Sequence, residues 1–371
     1  MAGASLVIPI LPVFLSHKGI SPSGVGLTIS VIFVAMVLIQ FPAGYLSDKF
    51  GRMPILIFGL GTYAIGAFAL LSSPPFSLFL VFRFIQGLGS GSFIVGVNSF
   101  VGDVTPIEFR GRAYGVIAGS QMGAVSIGVF VGALIGYKNI NEIFALTAVM
   151  SLIAVPITFL STSKKHLLTI PTYTTQIKSI YRSRIFIAAV IYNVTFGAIA
   201  GMYETVWSPL LFNRGASGFE IGISWFSFGI PYLTLSWQAG KLADKMDRRF
   251  LVVSQQIIGG GFAIFYVLLP GVIPLITLGI VEAVLVVPGS PAMQSLLTEA
   301  TPKEMLGKVQ GITMTIYVAT QAIFALTSGI FWEINISLPF FFTGFFVIFI
   351  TPLSIIYLRR EKGRLQLKQR S

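Results

Sequence analysis

Twelve apolar runs, nearly all long enough to cross a bilayer, leave this chain few ways to fold. They lie at about 2–16, 24–47, 53–73, 77–102, 112–137, 141–161, 185–212, 219–243, 249–270, 272–298, 306–330 and 336–358. Roughly 20 apolar residues in a helix span a hydrocarbon core about 30 Å thick. Backbone N–H and C=O groups find no water there, so only helices and closed barrels survive. The weak alternation of barrel strands is absent. The expected fold is an all-α membrane protein with twelve transmembrane helices. Charged residues make up 10% of the chain, against about 25% in soluble domains.

The net charge of +12 is unevenly spread. With alternate loops on opposite sides, Lys18, Lys138 and Arg214 fall on one side and Arg83 falls inside a span. All other lysines and arginines fall on the opposite side, which the positive-inside rule makes cytoplasmic. Both termini are then cytoplasmic, in a plasma membrane. The basic tail lies near anionic headgroups, and no nucleic-acid partner is expected. The chain has no cysteine, which excludes disulfides, thiolate catalysis and Cys-ligated metal. Both histidines, His17 and His166, fall in loops, and no metal site is expected.

Charge returns at a fixed interval. "GYLSDKFGRM" at 44–53 is matched by "GKLADKMDRR" at 240–249, pairing Gly44 with Gly240, Asp48 with Asp244 and Arg52 with Arg248, each 196 residues apart. The same offset carries "KGISPSGVG" (18–26) onto "RGASGFEIG" (214–222), and "TPIEFRGRAYG" (105–115) onto "TPKEMLGKVQG" (301–311). Three segments in one register indicate a duplication. The expected organisation is two pseudo-symmetric six-helix bundles, 1–161 and 185–358, a cytoplasmic linker at 162–184 and a basic tail at 359–371. Six crossings per half give both halves the same orientation, the parallel repeat of one transporter architecture, with substrate bound between the halves. By this register the first span, about 15 residues or roughly 22 Å, lacks about ten residues of a full helix.

The sequence resembles the major facilitator superfamily along its whole length. The family's first cytoplasmic motif, G-x-L-x-D-R/K-x-G-R, is met by Gly44, Leu46, Asp48, Lys49, Gly51 and Arg52. In the second half Asp247 replaces the later glycine. The fourth-span motif R-x-x-Q-G-x-G is met by Arg83, Gln86, Gly87 and Gly89. The fifth-span motif of the drug/proton antiporter branch keeps its spacing at Gly119, Gly128, Gly132 and Gly136, with Ala133 in place of proline and Tyr137 in place of the last glycine. The resemblance implies a cytoplasmic latch that holds the halves together in the outward-open state.

Physical reasoning reaches a latch too. Gly44 and Gly240 permit close helix approach. Asp48 and Asp244 can accept from N–H groups at a helix N-terminus. Arg52 and Arg248 can pair with those carboxylates, or with Asp103 and Glu299, which end spans four and ten at the same offset.

Charges inside the membrane are costly and normally face a cavity or a partner. Arg83, Glu204 and Glu282 fall on spans four, seven and ten, which in the superfamily line the central cavity. Counting along the helices puts Arg83 and Glu204 at similar depth, able to pair across the halves, and Glu282 near the midplane. Asn193, Gly197 and Glu204 share a helix face, since eleven residues make about three turns. A carboxyl buried away from cations can carry a proton. Glu282 is the expected protonation site, with Glu204 coupled through Arg83. Gln86, the repeat counterpart of Glu282, joins Asn98, Gln121, Asn193, Tyr203, Trp207, Gln294 and Gln321 as candidate cavity lining.

The expected function is secondary active transport of a small organic molecule by alternating access, as proton-coupled efflux of drug-like or metabolite cargo by a monomer. No cofactor is expected, the proton gradient supplying the energy, and no G-x4-G-K-S/T loop of a primary pump occurs. The alternatives are a proton-coupled importer or facilitator of a sugar or organic acid, and a non-transporting membrane sensor on the same fold. An enzyme is not expected, because neither H-E-x-x-H nor G-x-S-x-G occurs.

Overall fold

A computed structural model describes residues 2–105, 110–161, 181–302 and 305–359. Most of the linker expected at 162–184, with His166, and the tail beyond Arg359 lie outside the described residues. Every regular element described is helical. In order they are α1 (Ala2–Ser5), α2 (Leu11–His17), α3 (Pro22–Phe50), α4 (Arg52–Leu70), α5 (Phe76–Val104), α6 (Arg110–Ile135) and α7 (Ile140–Ser161). Then follow α8 (Arg184–Asn213), α9 (Gly218–Lys245), α10 (Arg248–Leu268), α11 (Val272–Val286), α12 (Gly289–Ala300), α13 (Leu306–Ile334) and α14 (Leu338–Leu358).

Nine stretches among the described residues are long and apolar enough to cross a membrane, α11 and α12 together forming one of them. Helices α6 and α9 are of similar length, at 26 and 28 residues. The first and tenth apolar runs depart from the expectation of simple continuous helices. Proline accounts for both breaks. Pro9 has no N–H for the carbonyl of Ser5, where α1 stops, and the chain resumes as helix only at Leu11. Pro288 likewise stands between α11 and α12, with no N–H to offer the carbonyl of Val284. Five other prolines, Pro42, Pro156, Pro209, Pro231 and Pro352, ride inside unbroken helices.

The duplication is visible in the backbone. Gly19 and Gly215, 196 residues apart, both adopt positive φ (77° and 87°), a conformation open to glycine at little cost. Each is followed by an N-cap serine: Ser21 Oγ accepts from Gly24 N, and Ser217 Oγ accepts from Glu220 N. In the first half α5 packs on α3 and α4, and α4 on α7; in the second α8 packs on α13 and α14, and α10 on α14. Two seams join the halves, α3 against α13 and α6 against α9.

Candidate functional site

At the end of the molecule rich in lysine and arginine, the paired motifs form ion pairs inside each half. Gly51 and Asp247 cap the helices that Arg52 and Arg248 begin. Arg52 Nε donates to Asp103 Oδ2 at 2.6 Å and its Nη1 to Asp48 Oδ1 at 2.5 Å. In the second half Arg248 Nη1 donates to Glu299 Oε1 at 2.5 Å. Both links join the start of one helix to the end of another across 51 residues of sequence. The surroundings of Gly240 and the side chain of Asp244 lie outside what the structure describes. A Cβ built at Gly44 would meet nothing, so this glycine is not at a close helix contact here.

Arg83 and Gln86 project from α5, one turn apart. Arg83 Nη1 donates to Gln86 Oε1 at 2.8 Å, while Arg83 Nε and Gln86 Nε2 are buried without a partner among the described residues. Glu204 on α8 accepts from Gln321 Nε2 of α13 at 2.9 Å. Arg83 and Glu204 are close enough to feel each other's charge across the halves. They are not brought into a direct ion pair, because each carries its own amide partner on or beside its helix.

Glu282 on α11 is 2% exposed and held by two phenols. Tyr266 Oη donates to its Oε2 at 2.5 Å, and Tyr203 Oη lies 3.1 Å from Oε1 and 3.2 Å from Oε2. The rings of Tyr203, Trp207 and Tyr266 pack edge-on or tilted around it, Trp207 and Tyr266 with centroids 4.7 Å apart. The sequence reading named Tyr203 as cavity lining and missed Tyr266 altogether. Only the short α10–α11 connection, which makes those helices antiparallel neighbours, hinted that Tyr266 could face Glu282.

The remaining candidates separate. Gln321 is buried on Glu204, and Trp207 is buried in the core with its Nε1 donating to Ser224 Oγ. Asn193 turns back to its own helix, donating to Ala189 O. Gln121 is half-buried on α6, and Asn98 and Gln294 are exposed toward the basic end of α5 and α12. Gly197, on the face shared with Glu204, lies where a Cβ would press on α13 at Thr320.

The seams are closed at the charge-poor end. Ser23 N and Oγ, at the start of α3, donate to Glu333 Oε1 of α13 at 3.1 and 2.7 Å. A Cβ on Gly26 would sit 2.6 Å from Ala325 O and 3.1 Å from Gly329 Cα. In the other seam Gly222 of α9 lies against Ala133 of α6. Gly26 and Gly222 are 196 apart, as are Ala133 and Gly329, so the two contacts are one contact repeated by the duplication. A cavity of about 20 Å³, bordered by Val25, Thr205 and Trp332, is left here; it is the size of a single water. Further along, Thr315 Oγ1 donates to Gln40 Oε1. Beyond that bond, toward the basic end, Cβ atoms at Gly307 and Gly311 would meet nothing.

The profile of the Major Facilitator Superfamily matches residues 1–214 and again 185–370. Multidrug resistance protein 2 of Bacillus subtilis (strain 168) is 26% identical over 377 residues, covering 97% of this chain and 92% of that one. Quinolone resistance protein NorA of Staphylococcus aureus (strain MRSA252) is 26% identical over 152 residues, 41% of this chain and 39% of its own. Among solved structures, a bacterial homolog of the human lysosomal transporter Spinster, inward-facing and unoccupied, superposes with a TM-score of 0.74 at 12% identity, covering 96% of this chain and 93% of that one. Identity that low speaks to the fold alone.

Proposed function

This chain belongs to the Major Facilitator Superfamily, and on that premise we propose that it is a monomeric, proton-coupled exporter of small amphiphilic organic compounds. Its twelve crossings lie in the plasma membrane with both termini and the basic end in the cytoplasm, and its two bundles, 1–161 and 185–358, rock about the two seams. The molecule is then inward-facing: closed at the charge-poor end by the Gly26–Gly329 and Gly222–Ala133 contacts, and splayed beyond Gln40 and Thr315.

The observation that carries the proton coupling is Glu282. It is buried among phenols, with Tyr203 and Tyr266 as its hydrogen-bond partners and no cation paired with it among the described residues. A charge stranded in such a place is expensive, and a proton removes it. Rocking of the bundles rehydrates the site and lets the proton leave. Arg83 and Gln86 hold buried donors with no partner among the described residues, and the aromatic rings beside Glu282 offer apolar faces. That combination suits a cargo with both a polar and an aromatic part. The drug-resistance names of the two relatives support this cargo class.

The test is transport in proteoliposomes under an imposed pH gradient, following a lipophilic dye and internal pH together. Glu282→Gln is expected to abolish pH-driven accumulation while dye exchange at equal pH persists. Proton flux unchanged in that variant would overturn the coupling role. Equal dye movement with and without the gradient in the unaltered protein would favour a facilitator.

A further inference from the structure

A second site lies on the outside of the second half, away from the cavity. At the basic end, the start of α10 and the end of α14 border a surface groove of about 370 Å³. Its floor is apolar and open to the surroundings: Phe250 is 60% exposed and Ile355 45%, with Val253 between them. Arg249 and Arg359 stand at its mouth.

These two arginines differ from their neighbours. Arg52 and Arg248 place their guanidinium groups on carboxylates, and Arg184 donates to Ile356 O. Neither Arg249 nor Arg359 has a side-chain partner among the described residues. Asp247, the acid that also borders the groove, caps α10 by accepting from Arg249 N at 3.0 Å. Its charge is therefore engaged with the helix N-terminus rather than with the guanidinium beside it. The sequence after Arg359 adds Arg360, Lys362, Arg364, Lys368 and Arg370 against a single acid, Glu361.

An apolar slot at the level where a helix leaves the hydrocarbon, topped by unpaired cations, matches one ligand chemistry. We propose that this groove binds a phospholipid with an anionic headgroup, its phosphate at Arg249 and Arg359 and one acyl chain along Phe250, Val253 and Ile355. Guanidinium groups suit phosphate because their N–H donors match its oxygens in pairs. An excess of fixed positive charge selects a headgroup that carries no cation of its own. The site would fasten the α10–α14 edge of the second half to the anionic leaflet.

Native mass spectrometry of the full-length protein with phosphatidylglycerol and phosphatidylcholine tests this. The unaltered protein should retain phosphatidylglycerol in preference. Arg249→Gln and Arg359→Gln should each weaken that retention about fivefold, whereas Arg249→Lys keeps most of it. Lys308→Gln, an equal loss of charge at the same end on α13, should leave it unchanged. Soluble glycerol phosphate should not displace the lipid. Equal retention by the Arg249→Gln/Arg359→Gln double variant, equal retention of the two lipids, or displacement by glycerol phosphate would each overturn the proposal.

Discussion

The three carboxylates on the two arginines at the basic end are not equivalent. The Asp103 side chain is 10% exposed and receives both Nε and Nη2 of Arg52, whereas Asp48 is 72% exposed and receives one bond. Water screens an exposed pair to about 0–1 kcal/mol, while a shielded charged hydrogen bond is worth about 1.5–3 kcal/mol. Asp103→Ala is therefore expected to lower stability by about 1.5–3 kcal/mol and Asp48→Ala by less than about 1 kcal/mol, read from thermal unfolding in detergent. At Glu282 the 2.5 Å bond from Tyr266 outranks the longer, shared bond from Tyr203. Tyr266→Phe should alter the pH profile of dye efflux more than Tyr203→Phe; equal profiles would show that the phenols only pack. Glu282 itself was readable in the sequence as a lone acid in an apolar run. Its partners were not, because hydropathy gives a helix its length but not its rotation about its own axis.

Helices here approach one another where side chains are missing. On α4 and α5, Gly59 and Gly89 face each other so closely that a Cβ at Gly89 would lie 2.6 Å from Tyr63 N. Gly89→Val must push the pair apart, and overpacking of this kind costs about 1–3 kcal/mol; a thermal midpoint equal to that of the unaltered protein would contradict the contact. The fourth-span motif thus has a packing reason for its last glycine, one that the residue pattern alone did not supply. Breaks in helices were harder to read. Prolines at positions 9, 42, 156, 209, 231, 288 and 352 were all visible in the interior of apolar runs, yet of these only Pro9 and Pro288 interrupt a helix. Whether neighbouring helices hold the two sides of a proline in line is a tertiary property, and the local sequence is silent on it.

Across the whole molecule the duplication was the most legible feature. The offset of 196 read from charged motifs recurs in the positive-φ glycines, in the N-cap serines and in the contacts that close the charge-poor end. What a one-dimensional register could not supply was the state in which the halves meet. With no cysteine in the chain, single cysteines report that state without background. Gly311→Cys, in open space, should react with a membrane-impermeant thiol reagent from the basic side, and Val25→Cys, buried in the seam, should not. Adding Glu333→Gln and Ser23→Ala to Val25→Cys weakens the bonds across α3 and α13 and should raise its labelling from the charge-poor side several-fold. Unchanged labelling would mean that packing alone keeps this end shut.

The duplicated seams also differ in one respect with mechanical weight. The α3–α13 door has a bolt, the carboxylate of Glu333 lodged on Ser23, whereas the twin positions 196 residues away are Phe219 and Tyr137. Two leaves of the same shape, only one of them with a serine and an acid at these positions, do not swing under equal load. In the proposed rocking their parting is lopsided from the first ångström, and a device cut from one template twice acquires a front and a back.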